Sequence, residues 1–239
     1  MTHFLKTILS KTQYLKIVDF KNNHIDGYSV KSYSQEGEDM ILRRMFNDKK
    51  DGFFIDIGAH HPKRFSNTYL FYKQGWNGIN IDAMPGSMKA FNKIRPKDIN
   101  IECPISDTRE ELTYYSFNEP AINTFSKLEA EKKDGLNNYK IIEKKKLTTS
   151  TLSDILDKNL KVGQQIDFLT IDVEGLDFKV LKSANLTKYK PKVILIETLE
   201  SSLNSIVNNE ISTYLASFGY SIYAKSVNTV FYVDQGFEI

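Results

Sequence analysis

Four short apolar runs, each closing on a carboxylate, constrain this chain more than any other feature. They are Phe53 to Ile57 with Asp56 and then Gly58, Gly78 to Asp82, Ile166 to Asp172, and Val193 to Ile196 followed by Glu197. Such runs are strand-length and read as buried parallel strands. Between them lie segments with apolar residues at helical spacing. Gln35 to Phe46 has Ser34 as its N-cap, and a second helix follows Ser66 or Asn67 to about Lys73. Gly86 to Ile94, Thr151 to Leu156, Phe178 to Leu181 and Ile211 to Phe218 continue the series, and Ile99 to Cys103 adds a strand. Strand and helix in alternation predict a doubly wound α/β sheet. Tyr220 to Ala224 and Thr229 to Val233 then read as an antiparallel hairpin finishing it.

Two stretches stand outside this alternation. Met1 to Phe20 mixes Phe4, Leu5, Ile8, Leu9, Tyr14, Leu15 and Ile17 with Lys6, Lys11 and Lys16, which predicts an amphipathic helix in an extension over residues 1–33. Leu112 to Phe117 alternates like an added strand, and Asn118 to Lys146 is polar and rich in Lys and Glu. That predicts a solvated insertion around 107–150 within a domain spanning 34–239. Charge is balanced, with 32 basic and 30 acidic residues, and no basic stripe points to nucleic acid. The lone Cys103 excludes an internal disulfide framework and reads as a small buried apolar residue. No apolar stretch approaches the roughly 20 residues of a transmembrane helix, and the N-terminus lacks the apolar core and cleavage site of a signal peptide. The expected location is the cytoplasm.

In an open parallel sheet, ligands bind beyond the carboxyl ends of the strands, where strand order reverses. Here those ends carry Asp56, Asp82, Asp172 with Glu174, and Glu197. Like charges crowded there need a compensating cation or hydrogen-bond donors. A dinucleotide site would instead need a second and third glycine after Gly58 to cradle pyrophosphate. This chain has Ala59-His60-His61-Pro62. S-adenosylmethionine has no phosphate and carries an ammonium and a sulfonium, so acids suit it. Asp82, one strand–helix–strand unit after Asp56, is suited to chelate ribose hydroxyls. Plain turn chemistry can also produce an Asp-Gly strand end.

The segments Phe54-Ile55-Asp56-Ile57-Gly58-Ala59-His60, Gly78-Ile79-Asn80-Ile81-Asp82 and Thr170-Ile171-Asp172-Val173-Glu174-Gly175 resemble the FkbM family of S-adenosylmethionine-dependent methyltransferases. Ser34 to Asp39 resembles the segment preceding the family's first strand, and the resemblance runs to about Glu197. It implies a class I methyltransferase (Rossmann-like) fold with a seven-stranded, mostly parallel sheet whose last strand is antiparallel. It further implies O-methylation, often of sugars in surface polysaccharides. By this resemblance Gln35, Asp56, Gly58 and Ala59 serve the cofactor, the last three on its methionine side. Asp82 binds the ribose, Ser106 and Asp107 lie beside the adenine, and Asp172 lies near the methyl group. Where many members have Asn-x-Gly, this chain has His60-His61-Pro62.

Methyl transfer to an alcohol requires alignment and removal of the hydroxyl proton. His60, His61, Asp172 and Glu174 are the expected catalytic residues. Asp172 and Glu174 would point to one side if the strand continued, with Val173 toward the core. They would serve as base and clamp or, with a histidine, hold a divalent metal, the less favoured route. Asn118, Asn123 and Phe125 are expected to bind the substrate, a nucleotide-linked or surface-polysaccharide sugar, while Lys63 and Arg64 read as solvated, with contact to the phosphates of a nucleotide-linked sugar as their alternative. The expected partner is a small molecule or saccharide, with N-methylation of an amine or phosphoramidate, or a non-catalytic binding protein, as the alternatives.

Overall fold

The computed structural model describes residues 7–25, 27–47, 49–200 and 202–239. Residues 1–32 and 33–239 form two compact units. In the first, helix α1 (Lys11–His24) opens with a capping box between Ser10 and Gln13. No residue of α1 is buried. The helix is not amphipathic: at 100° per residue, Leu15, Ile17, Val18 and Phe20 are spread around its circumference. Phe4, Leu5 and Lys6 lie outside the described residues.

In the second unit, helix α2 (Glu38–Met45) leads into β1 (Phe53–Ile57), α3 (Tyr69–Gln74), β2 (Asn77–Asp82), α4 (Met88–Ile94) and β3 (Ile99–Glu102). After an insertion come α6 (Leu152–Asn159), β6 (Phe168–Ile171), α7 (Asp177–Lys182) and β7 (Val193–Glu197). Then follow α8 (Leu203–Val207), α9 (Glu210–Ser217), β8 (Tyr220–Lys225) and β9 (Thr229–Asp234). Among the described residues these strands form a seven-stranded sheet in the order β3-β2-β1-β6-β7-β9-β8. All its pairings are parallel except those of β9, which runs antiparallel to β7 and β8. This is the class I methyltransferase architecture, and strand order reverses between β1 and β6.

Strand alternation sorts the core into two layers. Ile55, Ile57, Leu169, Ile171, Ile194 and Ile196 pack against α6, α7 and α9 through residues such as Leu156, Leu181 and Leu215. Phe54, Phe168, Val193 and Leu195 face α2 and α3, where Leu42, Phe71 and Trp76 join them. Two further departures from expectation have local causes. Helix α2 begins after Gly37 in the left-handed region rather than at Ser34, because the Ser34 hydroxyl is engaged with Asp39. Strand β6 ends at Ile171, and Glu174 adopts φ +53°, so the extended run does not continue through Asp172 and Glu174.

The insertion is more structured than its polar composition predicts. Strand β4 (Glu111–Phe117) pairs antiparallel with β5 (Ile141–Thr148), with helix α5 (Lys127–Lys133) between them. Tyr115, Phe117 and Ala130 are buried against Ile122, Tyr139 and Ile141, giving the insertion a small core of its own. Two of the three exposed lysines of β5 have partners in the hairpin: Lys146 pairs with Glu111, and Lys144 lies over the Tyr115 ring.

Beneath the sheet sits a buried charge network. Arg95, fully buried, bonds through Nε to Asp98 at 2.8 Å and through Nη1 to the Thr68 hydroxyl at 2.9 Å. Thr68 in turn donates to Asp56 at 2.8 Å, and Asp98 accepts from the Gly78 amide and Asn80. Removing one member of such a buried set strands the other's charge. Arg95→Met should therefore lower the stability by about 3–5 kcal/mol, read as a fall in the urea midpoint.

Candidate active site

The chain ends of β1 and β6 meet at the reversal point. Gly58, at φ +81°, has its Cα so close to the Asp172 backbone that an added Cβ would lie 1.7 Å from the Asp172 carbonyl oxygen. Any other residue there would force the two strand ends apart. This contact forms the floor of a crevice with two connected halves, and Gly58, His60, Ala121 and Asp172 line both.

The first half encloses about 610 Å³ of space, part of it open to solvent, and is mainly apolar. Ile81, Ala83, Met84, Cys103, Ile105 and Leu176 form its sheet side, and the insertion contributes Tyr114, Asn123 and Phe125. The Tyr114 and Phe125 rings meet at a tilt of 46°, with centroids 4.8 Å apart. Asp82 is the acid that belongs to this half alone, Asp172 being shared with the other. Its two oxygens accept the backbone N–H groups of His60 at 2.8 Å and Met84 at 2.7 Å. Each oxygen keeps a lone pair for a ligand hydroxyl. Burial raises the Asp82 carboxyl above the usual range, against the pull of those amides. An apolar slot for a flat ring system with one acid for vicinal hydroxyls suits a nucleoside, and no run of glycine amides is available for a pyrophosphate.

The second half encloses about 1090 Å³, again partly open, and is polar. Glu36, Glu38, Glu119, Asp172, Glu174 and Glu197 line it together with Gln35, Asn67, Phe65 and Tyr139. Arg64 is the one lysine or arginine among these lining residues, and its guanidinium forks onto Glu119 at 3.1 and 3.4 Å. Carboxylate oxygens of Asp172, Glu174 and Glu197 all lie within 4.8 Å of one another, a spacing that would also admit a cation. Glu174 is ion-paired with Lys133. Asp172 is exposed to the crevice, where its neighbours are mostly other acids. Desolvation first, and then the charges of Glu197, Asp177 and Glu174, push its carboxyl well above the ordinary value. Burial and Glu174 likewise push Glu197 up to about 8.

Several expected site residues sit elsewhere. Asp56 projects into the opposite layer, beside Phe54, and belongs to the Arg95 network. Burial raises it to about 6, against the opposing charge of Arg95. Ala59 packs on Met88 and Phe91 behind the crevice. Ser106 is buried and bonded to Asp107 and Glu110, while Asp107 faces Lys179 and Lys182; their neighbour Ile105 is the residue that reaches the crevice. Asn118 ties the hairpin together through Asn138 and Lys140. Gln35 lines the polar half, whereas Asn123 and Phe125 line the apolar one.

The two histidines divide. His61 Nδ1 accepts the backbone N–H groups of Lys63 and Arg64, so it caps a turn outside the crevice. His60 lines both halves, and its Nε2 is buried without a hydrogen-bond partner. Burial and then Arg64 hold its pKa below that of a free imidazole, so the ring is neutral near pH 7. Glu36, Glu38, Tyr114 and Lys133 were not expected in the site. Tyr114 lies within a recognisable alternating strand, and Lys133 within the Lys- and Glu-rich stretch that reads as solvated. Cys103 is a half-buried wall residue rather than a core one.

A family model described as the methyltransferase FkbM domain matches residues 56–222, well over half of the chain. No curated protein matches. Among solved structures, precorrin-6y C5,15-methyltransferase from Geobacter metallireducens aligns at 11% identity and TM-score 0.43, covering 86% of this chain and 90% of that one. A 1,6-didemethyltoxoflavin-N1-methyltransferase from Burkholderia thailandensis, with bound S-adenosylhomocysteine, aligns at 11% identity and TM-score 0.42, covering 95% and 89%. An O-methyltransferase from Bacillus cereus in complex with SAH aligns at 10% identity and TM-score 0.39, covering 97% and 94%.

The raised carboxyl of Glu197 gives stability a sign with pH. A group whose folded pKa exceeds its unfolded one favours folding fully below the unfolded value, about 4.3 for Glu, and that advantage is lost as pH rises through the folded value. For Glu197 the loss runs up to about pH 8. Glu197→Gln should thus gain stability relative to wild type as pH rises from about 5 to 9, measured by urea unfolding at stepped pH.

Proposed function

Because the chain belongs to the FkbM-domain methyltransferases and takes its methyl group from S-adenosylmethionine, we propose that it methylates a hydroxyl of a neutral saccharide bound in the polar half of the crevice. The observation that carries this reading is the lining of that half. Acids, amides and two aromatic rings face the space, and its one guanidinium is already committed to Glu119. Carboxylates and amides accept and donate to sugar hydroxyls, and aromatic faces cover the apolar side of a sugar ring. A nucleotide-linked sugar, by contrast, would bring phosphates against uncompensated acids.

In this reading the apolar half holds the donor. Asp82 accepts the ribose hydroxyls, while Tyr114, Phe125 and the aliphatic wall take the adenine. The donor supplies an electrophilic methyl group on a sulfonium with a neutral leaving group. The chain's residues must align the acceptor oxygen and take up its proton. Asp172, shared by both halves and with its carboxyl raised well above the ordinary carboxylate range by desolvation and by Glu197, is the proposed proton acceptor. Glu174 and Glu197 orient the hydroxyls, and neutral His60 offers Nε2 as a further partner. The net acidity of the pocket also favours a second reading, in which an amino sugar is drawn in as its ammonium, gives up a proton to one of these carboxylates and is N-methylated as the free amine. Three carboxylates within 4.8 Å keep a divalent ion as an alternative means of acidifying a diol.

Transfer of a trideuteromethyl group to a panel of neutral, amino and nucleotide-linked sugars tests these readings by mass and by the methyl carbon shift. Neutral sugars should accept an O-methyl group, with a rate that climbs toward about pH 8 as the clustered carboxyls ionise. Labelling confined to nucleotide-linked sugars would overturn the proposal, and loss of activity on chelation would favour the metal route. For the donor half, Asp82→Ala should weaken S-adenosylhomocysteine binding at least about tenfold in equilibrium dialysis, the scale of one lost charge-assisted hydrogen bond.

A further inference from the structure

The insertion between β3 and α6 does more than wall the crevice. It grips the loop that carries Asp172 and Glu174 at points far apart in sequence. The Thr124 hydroxyl, on a residue only 1% exposed, donates to the Glu174 carbonyl at 2.7 Å. From helix α5, the Lys133 ammonium pairs with the Glu174 carboxylate. Ser126, the N-cap of α5, lies against Gly175, where an added Cβ would be 3.5 Å from the Ser126 Cβ. Glu174 itself occupies the left-handed region at φ +53°, which a residue with a long side chain holds only when its surroundings impose it. Three carboxylates within 4.8 Å would repel one another, and Lys133 supplies the positive charge that meets this cluster from the insertion side.

We infer that Lys133 is a positioning residue, which with Thr124 holds Glu174 in its strained conformation so that the carboxylate faces the acceptor half. The hairpin thereby builds the acceptor side of the site as well as covering it. This inference rests on the reading of the polar half as the acceptor site, and the experiment separates the two. Lys133 does not line the apolar half, so the donor site serves as an internal control.

The test compares wild type, Lys133→Met and Lys133→Arg in the full chain by three measurements. Amide hydrogen exchange over residues 172–176 should accelerate about tenfold in Lys133→Met and return close to wild type in Lys133→Arg, as for loss and recovery of a local opening energy. S-adenosylhomocysteine affinity should stay within about twofold in both variants. On whichever neutral sugar wild type methylates, Lys133→Met should lose about 10–100-fold in kcat with little change in KM, and Lys133→Arg should recover most of it. Unchanged exchange in Lys133→Met, equal acceleration in both variants, or a parallel loss of S-adenosylhomocysteine affinity would each overturn the inference. If no sugar accepts a methyl group, the acceptor reading falls, and the exchange data still decide the role of Lys133.

Discussion

The ends of β1 and β6 press together at Gly58 and the Asp172 carbonyl with no room for a side chain between them. That contact exists because strand order reverses there, so the loops after the two strands leave the sheet in diverging directions. Every feature of the site follows from it. The loop after β1 swings His60 over the crevice and turns its amide onto Asp82. The loop after β6 presents Asp172 and then folds sharply through Glu174. A donor half and an acceptor half can share Asp172 and His60 only because the two strand ends lie this close.

The two faces of the sheet carry polar chemistry of different kinds. On the layer facing α2 and α3, Asp56, Thr68, Arg95, Asp98 and Asn80 are bonded to one another and sealed from solvent. At the crevice, acids stand close together, and among the described residues neither Asp172 nor Glu197 has a cationic partner as near as Arg95 is to Asp98. The first arrangement holds the fold. The second raises the proton affinity of both carboxyls, a state useful to a group that must receive a proton.

Much of the fold was legible in the sequence because parallel strands buried on both faces must be written as apolar runs, and the helices between them need an apolar stripe. The closing hairpin was legible for the same reason. The insertion was not. Strand β5 reads Ile141 to Thr148 with three consecutive lysines, and its order comes from pairing with β4 and from the small core under Tyr115 and Phe117, both long-range effects. The site was legible in part. Carboxylates at strand ends announced Asp82 and Asp172, yet strand alternation sent Asp56 to the other layer. A one-residue step decides which face a side chain meets, and a short run buried on both faces conceals that choice. The adjacent histidines posed the same problem, since a tight turn after Gly58 directs one ring inward and leaves the other to cap backbone amides.

Trp76, the single tryptophan of the chain, lies fully buried among Phe46, Phe71 and Phe168, with its indole N–H on the Lys49 carbonyl at 2.8 Å. Its position in the layer opposite the crevice-side helices gives the molecule a built-in optical reporter. Its emission follows the packing of α2 and α3 on the sheet, whereas Tyr114 and Tyr139 stand at the crevice itself. With thirteen tyrosines spread through the chain but one indole, selective excitation of Trp76 follows the scaffold layer alone in the unlabelled protein.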